Sequence, residues 1–156
     1  MTDKQIQTVN IGKLPQNIFA KLTGQQIANL SNDQFLSISS TQFKSISIDA
    51  LSMIPLSLFS LLTSSVFTAL QVQQLKALRV DQIQSLSSCI IRGLDITKYR
   101  NLCRNSQCVL TNDQLSALPP NLIKAMNTDD MNKLSNDQLI IIKPGSKKQY
   151  TENDIV

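Results

Sequence analysis

The segment Leu30-Ser31-Asn32-Asp33-Gln34-Phe35 recurs as Leu110-Thr111-Asn112-Asp113-Gln114-Leu115 and again as Leu134-Ser135-Asn136-Asp137-Gln138-Leu139. The copies lie 80 and 24 residues apart, both multiples of eight. A short fixed period constrains a chain strongly, because each unit is too small to bury its own apolar face and must stack on its neighbours. Set out in eights, one apolar column runs Ile11, Phe19, Ile27, Phe35, Phe43, Leu51 and onward to Leu139. A second stands three residues later, from Leu14, Leu22 and Leu30 to Ile142. Of these 34 positions 33 are apolar, against 42% for the whole chain, and all five phenylalanines stand in the first column.

The unit reads as a short helix. Apolar spacings of three and then five do not fit the strict alternation of a strand. The residue after the second column is Ser, Thr, Asn or Asp at ten places, among them Thr23, Ser31, Ser39, Ser47, Thr111 and Ser135. Three residues on stands glutamine, at Gln26, Gln34, Gln42, Gln74, Gln82, Gln114 and Gln138. This is the capping box: the hydroxyl accepts from the third helical N–H and the glutamine reaches back to the cap N–H. The apolar residues on either side, such as Leu30 and Phe35, then form a hydrophobic staple. All five prolines (Pro15, Pro55, Pro119, Pro120, Pro144) fall at the cap column or the next position, where a missing N–H costs nothing.

Helices this short lie far below the ~12–15 residues that persist alone in water. The expected fold is therefore all-α: a right-handed solenoid, or superhelix, of about 16–17 eight-residue units, each a capped helix of one to two turns. The predicted organisation is a lead-in over 1–9, one octad-repeat domain over 10–142, and a polar tail over 143–156 that acts as a cap or a flexible arm. The weakest unit is Cys103-Arg104-Asn105-Ser106-Gln107-Cys108, where the column residue is Gln107 and the cap a cysteine, so a bend or loop is expected there.

At Leu115-Ser116-Ala117-Leu118-Pro119-Pro120-Asn121-Leu122-Ile123-Lys124-Ala125-Met126 the chain resembles the short-helix repeats of the mesothelin–stereocilin group, which use a similar L-x-x-Φ-P-P-x-x-Φ-x-x-Φ step. The octads also resemble the Q-Φ-x-x-L-[ST] tandem repeats of some bacterial and large-virus proteins. In pattern the resemblance covers Ile11 to Ile142. It implies a superhelical, non-enzymatic adhesion or scaffold module, a structural component of the virion or cell-surface type. It carries over no functional residues.

Chemistry is confined by two features of composition. There is no histidine, which removes imidazole acid–base pairs and histidine metal ligands. The eleven acids are ten aspartates and Glu152. Asp33, Asp49, Asp81, Asp113, Asp129 and Asp137 fall at the second helical position, Asp95 at a cap and Asp130 at the capping-box position, all places where helix N–H groups favour an anion. The three cysteines, Cys89, Cys103 and Cys108, form no paired C-x-x-C motif, so free, packed thiols are expected, although Cys103 and Cys108 could bridge before an oxidant. The four glycines are scattered and build no phosphate loop. We therefore expect no enzyme, metal, cofactor or small-molecule substrate. Met1 to Asn10 has no long apolar stretch of the signal-peptide kind, and no segment approaches the ~18 apolar residues of a membrane span, so a soluble, reducing compartment is the default expectation.

The expected partners are other protein chains. Extra apolar residues outside the columns, Ile48, Met53, Leu56, Leu58, Leu61 and Val66, either thicken the core or form a partner-binding patch, and the apolar end carrying Ile140 and Ile141 is expected to dock on another chain. The alternative partner is nucleic acid or another anionic surface. Net charge is only +4, yet Lys44, Lys76, Arg92, Arg100 and Lys124 all follow the first apolar column. With two octads per turn, Lys44, Lys76, Arg92 and Lys124 would share one face. The stripe has no aromatic residues for stacking, which disfavours single-stranded nucleic acid.

Overall fold

A computed structural model describes residues 2–104 and 107–143, and within these every regular element is helical. The polar tail beyond 143, and Asn105 and Ser106 of the weak octad, lie outside the described residues. In chain order the helices are α1 (Asp3–Ile6), α2 (Gln16–Phe19), α3 (Gly24–Ala28), α4 (Asn32–Leu36), α5 (Ser40–Lys44), α6 (Ile48–Ser52), α7 (Leu56–Phe59) and α8 (Ser64–Thr68). They continue as α9 (Val72–Ala77), α10 (Val80–Gln84), α11 (Ser88–Arg92), α12 (Ile96–Leu102), α13 (Asn112–Ser116), α14 (Pro120–Ala125), α15 (Thr128–Asn132) and α16 (Asn136–Ile142).

The caps are where the period predicts them. Thr23, Ser31, Ser39, Thr111 and Ser135 each accept from the third helical N–H, while Gln26, Gln34, Gln42, Gln114 and Gln138 accept the cap N–H in return. Gln74 and Gln82 do the same for the backbone of Gln71 and Arg79, which lack a capping hydroxyl. Ser87 departs from expectation, since its hydroxyl makes no cap bond. Pro15, Pro55 and Pro119 are N-cap residues and Pro120 begins α14.

Burial follows the two columns. All their members are buried except Leu14, Ile123 and Met131, which are half-buried, and the exposed Gln107. The first units are irregular. The stretch expected as a lead-in holds α1, with a complete Thr2–Gln5 capping box and a buried Ile6. Ile11 opens a 3-10 turn (Ile11–Lys13) with Asn10 at the N-cap position, its side chain making no cap bond, and does not stand inside a longer helix. The spacing of the caps from Thr2 to Asn10 to Pro15 thus shortens by three residues before the regular octads begin.

The packing register is three units, or 24 residues. Helices α2, α5, α8, α11, α13 and α16 contact one another in succession, each beginning 24 residues after the last. So do α3, α6, α9 and α12; α7 pairs with α10, and α4 with the 3-10 turn. The sequence left the number of octads between stacked helices open; separations of sixteen, the condition under which Lys44, Lys76, Arg92 and Lys124 would share one face, are absent from the main helix–helix contacts of the described residues.

The capping-box glutamine joins the layers. Its Oε1 accepts the cap N–H of its own helix, and its Nε2 donates to carbonyls of the unit below. Gln42 reaches Ile11 O at 2.9 Å and Leu14 O at 2.8 Å. Gln82 reaches Leu51 O at 3.0 Å and Ile54 O at 3.2 Å. Gln114 reaches Ile83 O at 2.8 Å and Leu86 O at 3.1 Å. Gln74 similarly reaches Lys44 O and Ile46 O, and Gln34 reaches Ile6 O and Val9 O. The last carbonyls of a helix have no partner within it, so each glutamine completes two helix termini at once. A glutamate could not, having no donor when ionised. Its absence from the repeats follows from this second bond, beyond the preference for short acids at helix starts.

Candidate interaction surfaces

Each cation of the expected stripe sits near the C-terminal end of its helix, where a positive charge meets free carbonyls favourably. The 24-residue register divides them into two rows. Lys44 and Arg92 belong to the α5–α8–α11 series, with Thr68 between them. Lys76 and Arg100 belong to the α6–α9–α12 series, and Lys124 follows at the same interval. All five are exposed. Lys44 and Arg92 thus lie on one series of contacting helices, and Lys76 and Lys124 at the register of another.

Arg100 has a different task. Its Nε and Nη2 donate to the carboxylate of Asp130, with Nη2–Oδ2 at 2.7 Å. The Asp130 side chain is only 3% exposed, and its Oδ2 also accepts the N–H of Asn127 at 3.1 Å. Asp130 occupies the position that glutamine holds elsewhere. An acceptor-only carboxylate cannot bond to carbonyls below, and a guanidinium thirty residues earlier fills that place. The pair was not legible in the sequence, since the 24-residue register that brings the two together is tertiary.

Three aspartates are held below the usual carboxylate range: Asp130 chiefly by the hydrogen bonds from Arg100, Asp81 by Arg79 and Asp95 by the backbone N–H of Lys98. Lowered folded values mean that their contribution to stability is present above the unfolded value, ~3.9, and is lost as pH falls through the folded value. We expect Asp130→Asn to lower the unfolding midpoint by a few degrees at pH 7. The gap to wild type should narrow as pH falls below the unfolded value of ~3.9 and on through the lowered folded value, where Asp130 becomes as neutral as the asparagine. Thermal melts at pH 7 and pH 2.5 check this; a gap that persists undiminished in acid would refute the assignment.

The apolar surplus divides as well. Leu58 and Val66 are buried at the third helical position, the place glutamine takes elsewhere, and belong to the core. Leu61 is half-buried against it. Ile48, Met53 and Leu56 remain exposed, joined by Val72 and Val80, which the sequence reading missed. Ile48 and Val72, each 46% exposed, are the first residues of the contacting helices α6 and α9. Met53, 50% exposed, lies over Gly24, where a β-carbon would come within 2.7 Å of Met53 Cβ. At the other end Ile140 is exposed, whereas Ile141 is half-buried against the core.

One polar cluster stands apart from the caps. The sulfurs of Cys103 and Cys108 are 3.0 Å apart and buried, and the Tyr99 hydroxyl donates toward Cys108 Sγ at 3.8 Å. Hydrogen bonding from the Cys103 thiol holds Cys108 down at about 7, with the Lys133 charge assisting. Cys103 is correspondingly raised, first by its bond to Cys108 and then by burial. Among the described residues no group of three metal-ligating side chains occurs, and no helix is long and apolar enough to cross a membrane. Comparison with protein-family models, with curated proteins and with solved structures finds no match.

Proposed function

We propose that the chain is a non-catalytic protein-interaction scaffold, a component of a larger assembly, whose octads wind as a right-handed superhelix with three units per turn. Helix contacts at 24-residue spacing and glutamine ties to carbonyls 28 and 31 residues earlier support the winding. The Leu115–Met126 step supports kinship in kind with mesothelin-type repeats. The observation that carries the interaction reading is the exposed strip of Ile48, Met53 and Val72, with Lys76 at the end of the same helix as Val72. Apolar side chains left in water at equivalent positions of contacting helices mark a docking face, and the neighbouring cation suits an acidic protein segment bearing apolar anchors.

The test is affinity capture with the purified chain, wild type beside Ile48→Asp/Val72→Asp, with circular dichroism to confirm that both are folded. A partner retained by wild type and by Lys44→Glu/Arg92→Glu, but lost by the strip variant, supports the reading. Equal capture by all three overturns it. The nucleic-acid alternative rests on Lys76 and Lys124. It would take precedence if duplex DNA or RNA bound at low salt, and if Lys76→Glu/Lys124→Glu abolished that binding.

A further inference from the structure

We propose that Cys103 and Cys108 form a redox-reactive pair, which a hydroperoxide converts into an intrachain disulfide. The two sulfurs already stand 3.0 Å apart, so roughly 1 Å of further approach reaches the ~2.05 Å of a disulfide. Both cysteines are held by one residue: Cys108 N–H donates to Lys133 O at 2.8 Å, and Lys133 Nζ donates to Cys103 O at 2.9 Å. Entry is from the Cys108 side. Cys103 is fully buried, whereas Cys108 lies in the wall of an open groove of about 470 Å³, lined also by Gln107, Asn132, Lys133, Ser135 and Gln138. Cys108, 9% exposed against none for Cys103, is the cysteine nearer solvent, and its thiol is the more readily ionised of the two.

The chemistry balances in two steps. Cys108 thiolate attacks one peroxide oxygen, the O–O bond breaks, and hydroxide leaves to collect the proton that the thiol had released, giving water and a sulfenic acid on Cys108. Cys103 sulfur then attacks Cys108 sulfur and the S–O bond breaks. The departing hydroxide takes the Cys103 proton as a second water. One peroxide is reduced and two thiols are oxidised. Cys89, exposed on α11, is a free surface thiol and serves as an internal control.

The experiment treats the reduced full-length chain with stoichiometric hydrogen peroxide, blocks remaining thiols with N-ethylmaleimide, and digests with trypsin. Cleavage after Arg104 separates the two cysteines into peptides 101–104 and 105–124. We expect these to be recovered joined, and to part on reduction with dithiothreitol. The unfolding midpoint of the oxidised chain should rise by about 5 °C and return on reduction. Cys103→Ser should stop at a Cys108 sulfenic acid that dimedone traps, and Cys89→Ser should leave the linked peptides unchanged. Recovery of the two peptides unlinked, with Cys108 as a sulfinic acid or with only Cys89 oxidised, would overturn the proposal.

Discussion

Phe35→Asp leaves the chain without cooperative helical structure at 25 °C. Phe35 is 3% exposed and meets Phe43 edge to face, ring centroids 6.1 Å apart at 89°. Removing a buried phenylalanine costs about 3–5 kcal/mol, and the lost ring pair adds about 1 kcal/mol. Placing an unpaired carboxylate in that site adds several more. The total matches the ~5–15 kcal/mol that holds an ordinary domain together. Because no eight-residue unit is stable alone, the loss spreads to the units in contact with α4 and α5. The neighbouring Leu36, 52% exposed, provides the control: Leu36→Asp should change stability by less than about 0.5 kcal/mol. Far-UV circular dichroism and urea titration read both, and a Phe35→Asp chain that melts cooperatively near wild type would refute the assignment of the first column to the core.

Gln82→Glu is the second large effect and the more diagnostic, because one atom changes. Gln82 is fully buried and its Nε2 donates to Leu51 O and Ile54 O. At neutral pH a glutamate puts a carboxylate oxygen against two carbonyl oxygens, at the negative end of α6. We expect about 3–5 kcal/mol of destabilisation relative to wild type. Its pKa in the folded chain is raised above the ~4.3 of the unfolded chain. The penalty is therefore small below pH 4, where the acid is neutral and its O–H can donate to one carbonyl, and it grows as pH rises through the folded value. Wild type loses stability in acid through Asp81, Asp95 and Asp130, so the comparison is between the two chains at each pH. A difference independent of pH would mean that the glutamine serves only as a cap.

The elements were legible because capping is local. A cap hydroxyl and the glutamine three residues on meet within one turn of helix, so Ser31–Gln34 and Ser135–Gln138 announce their helices without reference to anything distant. The apolar columns announced the core in the same way. What the sequence reading misplaced were matters of register across units. Lys44 and Arg92 fell on a different row from Lys76, Arg100 and Lys124, and Arg100 proved to be committed to Asp130. Of the two places open to the extra apolar residues, Leu58 and Val66 took the core, while Val72 and Val80, unremarked in the sequence, stayed outside. None of these depends on contacts within a turn of helix.

The period of eight, the helical class, the helix starts and the buried columns were determined by the sequence by itself, because each rests on contacts three or four residues apart. The number of units between stacked helices was decided only by the tertiary structure. An eight-residue repeat is compatible with any whole number of units per layer, and the choice depends on how far each helix axis turns from the last. With 24 residues per layer, a glutamine meets the carbonyls of Leu51 and Ile54 and an arginine meets Asp130. The absence of glutamate from the repeats thus has two reasons at two levels. Short acids suit helix starts, and the capping amide must also donate to the layer beneath.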